Sequence, residues 1–256
     1  MYFGDLGGQV WRVDMDNVDK PGDYEINRIA DTSDGGYQPF FYAPSVAFQD
    51  LLSNSYMSVS IGSGNRDNPL DDGSRNAFYV FKDEDFRKGK PATTPDVVSH
   101  NDLFDATLNE VASSNNTIAQ AARNLLLTSP GWRIDLQPGE KALSQTVTFA
   151  GRLLATTFQP ANHNANADMC GPPPNTGRFY MLDVLTGEPV EHLGDANENL
   201  PLNRNNRSTV ISTTGIPTTP VILFPEDQLS ATVLVGKEVV GEVDNRVRRV
   251  YWFAEQ

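Results

Sequence analysis

Apolar and polar residues alternate through most of this chain, and β-branched and aromatic residues crowd the apolar positions. A period of two predicts strands. Four stretches share one layout: a short apolar strand ending near a small residue, a turn or loop, then a strand carrying aromatic residues. The first is YFGDLGGQVWRVD, from Tyr2 to Asp14. The second joins MSVSIGSG, from Met57, to NAFYVFKDED, which ends at Asp85. The third joins RLLATTFQP, from Arg152, to GRFYMLDVLTGEPV, which ends at Val190. The fourth joins ATVLVGKEVVGEV, from Ala231, to the closing RVRRVYWFAEQ. Trp11, Tyr79, Tyr180 and Trp252 are the aromatic landmarks of the four units.

One stretch breaks the rhythm. In NDLFDATLNEVASSNNTIAQAARNLLL, Leu103, Phe104, Leu108 and Val111 fall at helical spacing, and Ile118, Ala121, Ala122, Leu125 and Leu126 do so again after SSNN. Asn116 is a candidate cap for the second run, and Pro130 closes it. Residues 99–129 therefore read as a two-helix insertion whose apolar stripe packs on the chain's own sheets. Elsewhere Thr186-Gly187 in DVLTGEPV marks a tight hairpin, since glycine tolerates positive φ.

A recurring unit of short strands and hairpins predicts an all-β fold, a β-propeller built of blades over residues 1–256. A blade buries its faces on its neighbours and is not stable alone. About four units fall short of a ring of six to eight, so the expectation is the C-terminal blades of a larger propeller.

Composition narrows the partners. The 256 residues include 39% hydrophobic and 21% charged side chains, a globular balance. Lysine and arginine total 20 against 33 acids, a formal net charge of −13. That surface repels phosphate backbones, and the densest basic cluster, Arg246 to Arg249, lies in a strand pattern that splits it between two faces. No nucleic-acid role is expected, and no apolar run approaches the ~20 residues of a membrane span. Cys170 has no partner for a disulfide in this chain. It reads as a structural thiol, or one paired upstream of Met1; a catalytic role fits less well, because no helix start or histidine pattern accompanies it.

Candidate chemistry is sparse. Calcium takes six to eight hard oxygen ligands. Asp14, Asp16 and Asp19 lie close together but lack the glycine turn and distal acid of an EF-hand. Asp67, Asp71 and Asp72, with a turn at Gly73, form a better oxygen-rich loop and are weak metal candidates. His100, His163 and His192 lie in or beside polar loops, none paired at metal spacing. No nucleophile elbow, zinc-protease or phosphate-loop motif occurs, so no catalytic and no cofactor-binding residue is assigned.

Several segments, in order, resemble the PilY family of type IV pilus tip-associated adhesin and assembly proteins. They are YFGDLGGQVWRVDM; Ser58 to Glu84; Leu125 to Pro160; CGPPPNTGRFYMLDVLTGEPV, from Cys170; GIPTTPVI, from Gly215; and RVRRVYWFAEQ. The resemblance implies a C-terminal β-propeller domain following a variable region with a secretion signal. It implies a non-enzymatic role at the pilus tip with minor pilins, in pilus assembly, adhesion to host or abiotic surfaces and twitching motility. The implied location is extracellular, on the pilus (fimbrium) at the bacterial surface, after export through the periplasm. The family's calcium loop would precede Tyr2, so no calcium ligand is carried onto this chain.

Two other readings stay open. DVLTGEPV also resembles the hairpin repeated in quinoprotein propeller enzymes, although one cysteine and three tryptophans already placed in strands (Trp11, Trp132, Trp252) make a poor cofactor floor. A scaffold propeller of another envelope or secretion complex is the third.

Overall fold

A computed structural model describes residues 1–15, 24–51, 54–86, 97–161, 175–193, 199–213, 215–226 and 230–244. Cys170, His163, Asp16, Asp19 and the RVRRVYWFAEQ segment with Trp252 lie outside the described residues. The described chain is mostly β. Its strands are β1 (Tyr2–Gly4), β2 (Gln9–Asp14), β3 (Glu25–Asp31), β4 (Ser45–Leu51), β5 (Asn54–Gly62), β6 (Ala77–Asp83), β7 (Val98–Ser99) and β8 (Phe104–Asp105). After helix α1 (Asn116–Thr128) follow β9 (Gly131–Asp135), β10 (Val147–Phe149), β11 (Arg152–Gln159), β12 (Thr176–Asp183), β13 (Ser208–Ile211), β14 (Val221–Leu223), β15 (Ser230–Val235) and β16 (Glu238–Asp244).

These strands form four sheets that follow one another along the chain: β1-β2-β3-β7, then β4-β5-β6-β9-β8, then β10-β11-β12-β13, then β14-β15-β16. The strand pairs expected from the sequence are adjacent and antiparallel. Tyr2 faces Arg12 across β1 and β2, Met57 faces Asp83 across β5 and β6, and Arg152 faces Asp183 across β11 and β12. The second strand expected of the fourth unit lies outside the described residues, and ATVLVGKEVVGEV itself folds as a hairpin, β15 with β16. In the DVLTGEPV hairpin Gly187 takes φ 70°, and the Asp183 carboxylate accepts from the backbone N–H groups of Leu185 and Thr186.

The alternation decides what each sheet buries. Tyr79 and Phe81 of β6 face the first sheet and pack with Val10, Ile29 and Ala30. Their neighbours Phe78 and Val80 face the third sheet and pack with Tyr180 and Leu153. On the third sheet Leu153, Ala155 and Tyr180 look back at the second, while Leu154, Phe179 and Met181 look ahead to Ala231, Val233 and Val243 of the fourth. Each inner sheet is therefore buried on both faces, which explains why AFYVFKD is apolar almost throughout. The stack ends on partly exposed apolar faces. On the first sheet Phe3 stacks on Trp11 at 6.4 Å; on the fourth, Val221, Leu223 and Val239 are exposed.

The two-helix expectation is corrected. Among the described residues one helix forms in this segment, and Leu103 to Val111 is not part of it. Phe104–Asp105 instead pairs in parallel with β9, so Leu103 and Phe104 point to opposite sides and enter different clusters. A spacing of 103, 104, 108, 111 fits a helix, but pairing with β9 offers both residues a core and wins. Leu108 is left exposed, and Val111 is buried in a 3₁₀ turn.

Helix α1 forms as expected, one residue shifted: Asn115 is the cap, its side chain accepting from Thr117 and Ile118 N–H at 3.0 and 3.4 Å. Its buried face is Ala119, Ala122 and Leu126, while Ile118 and Leu125 are exposed. At the other end the Lys82 ammonium donates to the carbonyls of Leu126 and Ser129, where helix termini favour a cation. Asn115→Ala is expected to lower stability by about 1 kcal/mol and Asn115→Asp to leave it nearly unchanged, measured by urea denaturation. Equal midpoints for the two variants would mean that the cap is idle.

Candidate functional site

The loop between β5 and β6 holds the sequence's metal candidates. Asp67 and Asp72 are exposed, and Asp71 is half-buried, its carboxylate turned onto the N–H of Gly73. Among the described residues no three His, Cys, Asp or Glu side chains come together in a way that could hold a metal ion. A cation is nevertheless present: the fully buried Lys141 donates from Nζ to the carbonyl of Asp71 and, at 2.9 Å, to that of Gly139. The loop is thus bound from inside by a side chain, with two backbone carbonyls doing what a metal would ask of them.

His100 and His192 lie far apart in sequence and differ in their surroundings. His100 is buried, its Nδ1 2.9 Å from the Tyr79 hydroxyl, and its backbone N–H donates to Asp34. Burial lowers its pKa, with the Arg133 charge adding to the effect. His192 Nδ1 is buried without a partner among the described residues.

The polar chemistry gathers instead between the second and third sheets. Glu140 is fully buried in the connection from β9 to β10. Its Oε1 accepts from Tyr180 at 2.7 Å and Thr157 at 2.5 Å, and its Oε2 from the N–H of Gln137 at 3.0 Å. A buried carboxylate is tolerated only when its lone pairs are met, and here neutral donors meet them. Beside this cluster opens a cleft of about 550 Å³ at the end of the two sheets. Arg178 reaches it from β12, and Arg204 and Arg207 from the short 3₁₀ turn before β13.

The three arginines differ. Arg207 is buried, donating to the carbonyls of Ala106 and Thr107 at 2.6 and 2.9 Å and to Asn109 at 3.2 Å. Burial pushes its pKa down to about 10. It bolts the 3₁₀ turn to the segment after β8. Arg178 and Arg204 have no ion-pair or hydrogen-bond partner among the described residues, and Nε of both Arg178 and Arg207 is buried without an acceptor. Asp135 also lines the cleft, but its carboxylate is taken by Arg133 at 2.5 Å.

None of these cleft residues is visible as a motif. Arg178 sits in a strand and Arg204 and Arg207 in NRNNR, with a long loop between them in sequence. The run of asparagines was the available signal. Asn203 and Asn206 cap each other, side chain to backbone, which orders a turn that composition alone presents as loop.

Burial also bears on pH. It raises the phenols of Tyr2, Tyr56, Tyr79 and Tyr180; Asp83 adds to the effect at Tyr2 and Glu140 at Tyr180. A raised folded pKa gives stability that is fully present below the unfolded value, about 10, and lost as pH rises through the folded one. Lys82, Lys141 and Arg207 are lowered by burial and act in the opposite sense. Four raised phenols stand against these three lowered cations, so the phenols prevail. The urea midpoint is expected to fall between about pH 9 and about pH 11; a flat or rising midpoint would show the phenols solvated in the folded chain.

Among the described residues no helix is long and apolar enough to cross a membrane. No family model and no curated protein matches the chain. Among solved structures its fold is similar to that in the crystal structure of the Pseudomonas aeruginosa PilY1 C-terminal domain, with a TM-score of 0.64 at 18% identity. The similarity covers 94% of this chain and 56% of that one, so the chain spans little more than half the length of the solved domain. The chain therefore carries a PilY1-like fold across nearly all of its length.

Proposed function

We propose that the chain forms blades of a β-propeller and serves, without catalysis, in a type IV pilus at the bacterial surface. The observation that carries this reading is the fold likeness to the PilY1 C-terminal domain over 94% of the chain. Two others support it. The four sheets pack in series, each on the next, as blades do. The first and fourth sheets end on the apolar surface of Phe3 and Trp11 and of Val221 and Leu223, the kind of face on which a further blade rests.

In this reading the propeller is a rigid platform, and its long loops are the variable contact surface toward minor pilins and toward host or abiotic surfaces. The reading assigns no calcium ligand to Asp67, Asp71 or Asp72, whose loop already holds the Lys141 ammonium. Its test is genetic and biochemical. A strain lacking the gene is expected to lose twitching motility and surface attachment, and the tagged protein to retain minor pilins on purification from its own cells. Normal twitching and attachment in the deletion strain, with no minor pilin retained, would sink the pilus role.

A further inference from the structure

We infer that the arginine-lined cleft between the second and third sheets binds a small hydroxylated carboxylate, an acidic sugar being the class of ligand it fits. The inference goes beyond the pilus role and does not rest on it.

The argument starts from charge. A chain of net charge −13 repels anions over most of its surface. Here it places three guanidinium groups around one cleft; the acid that lines it, Asp135, and Asp105 behind it are paired with Arg133, and Glu188 acts on the buried Arg207. Glu140 lies behind Tyr180 and is satisfied by neutral donors. Positive charge in a partly enclosed cleft is costly unless something answers it. Arg178, half-buried, answers to nothing among the described residues, and Nε of Arg178 and of Arg207 is buried with no acceptor; Arg204 is exposed at the rim and free to reach a ligand.

Geometry narrows the class. A planar guanidinium presents donors in a fork that matches a carboxylate. Arg207 has spent both terminal nitrogens on the carbonyls of Ala106 and Thr107 and its Nε is buried, so it contributes field alone. The free forks are those of Arg178 and Arg204, enough for one singly charged group. The remaining polar lining includes the hydroxyls of Thr107, Tyr180 and Ser208 and the amides of Gln137, Gln159 and Asn205, which present donors and acceptors together, the pairing a hydroxyl needs. Gln159 donates to the carbonyl of Pro138, which leaves its own carbonyl oxygen as an acceptor. A volume of about 550 Å³ falls in the usual range for small-ligand sites.

The test is calorimetric titration of the purified chain with sodium glucuronate, glucose and inorganic phosphate at one ionic strength. Glucuronate is expected to bind saturably and glucose, which lacks the carboxylate, not to bind. Arg178→Gln and Arg204→Gln are each expected to weaken glucuronate by roughly tenfold or more. Arg123→Gln, on the exposed face of α1, is expected to change nothing. Because Arg204 makes no contact that holds the fold together, its variant keeps the test open should Arg178→Gln fail to fold. Absence of saturable glucuronate binding overturns the inference, and so does equal binding by the cleft variants. Tighter binding of phosphate than of glucuronate overturns the sugar-acid class. None of these results would alter retention of minor pilins, so the two readings fail separately.

Discussion

Replacing Asp83 by Asn lowers the unfolding free energy of the chain by about 3 kcal/mol, the low end of the ~3–5 kcal/mol seen when one partner of a buried ion pair is removed. Asp83 and Arg12 are almost wholly buried where the first sheet packs on the second, and Arg12 Nη1 donates to both Asp83 oxygens, at 2.7 and 2.9 Å. Asp83 also accepts from the Tyr2 hydroxyl at 2.7 Å, so the substitution removes the charge and leaves one acceptor oxygen where two donors had two. The low end applies because Arg12 keeps a second acid, Asp14, at 2.9 Å. Burial works against the charged Arg12, yet the hydrogen bonds from Asp83 hold its pKa above the ordinary arginine value. Urea denaturation reads the loss directly. The double variant Arg12→Met with Asp83→Leu is expected to recover part of it, since the buried pair is gone and only Asp14, still held by the Asn27 amide, loses its partner. A loss under about 1 kcal/mol for Asp83→Asn would mean that water reaches Arg12 and that the pair is not truly buried.

Trp132→Ala is expected to cost about 3–5 kcal/mol, the range for deleting a large buried aromatic ring. Trp132 has no exposed surface and sits in the cluster that joins the second and third sheets to α1. Its ring lies 3.1 Å from where a side chain would start at Gly187, and its indole N–H donates to the carbonyl of Val184 at 2.9 Å. The ring therefore braces the DVLTGEPV hairpin from below. Trp132→Phe keeps most of the packing, loses the hydrogen bond and is expected to cost about 1–2 kcal/mol. Thermal and urea unfolding of the two variants give the comparison. Equal losses would place the energy in the hydrogen bond rather than in the ring. Ile134, two residues on, lines the arginine cleft, so Trp132→Ala should also weaken any ligand held there.

Much of the scaffold was legible because its causes are local. Alternation in MSVSIGSG, NAFYVFKDED and RLLATTFQP reports strand pleat, and the glycine of DVLTGEPV reports a backbone angle; neither depends on distant residues. Strand β4, SVAFQDL, alternates just as clearly, and its hairpin with β5 was available to the same reading. Helix α1 was legible to within one residue at its cap, whereas its buried face was not. Ile118 and Leu125 match the helical period as well as Ala119 and Leu126 do, and only the position of the neighbouring sheets distinguishes the two faces.

Where charge is buried, local reasoning stopped. PGEKA reads as an exposed turn, yet Glu140 and Lys141 are fully buried, one met by Tyr180 and Thr157, the other by the carbonyls of Asp71 and Gly139. Every partner except Gly139 and the Gln137 N–H comes from another part of the chain. The same holds for Arg178 with Arg204 and Arg207, which share a cleft only because β12 and β13 lie side by side. By itself the sequence determined the longer strands of the recurring units, the DVLTGEPV turn and helix α1, since pleat, positive φ and capping are set within a few residues. The tertiary structure alone decided which face each element buries and where charged side chains can be kept from water, because a desolvated charge survives only beside partners that packing brings from elsewhere.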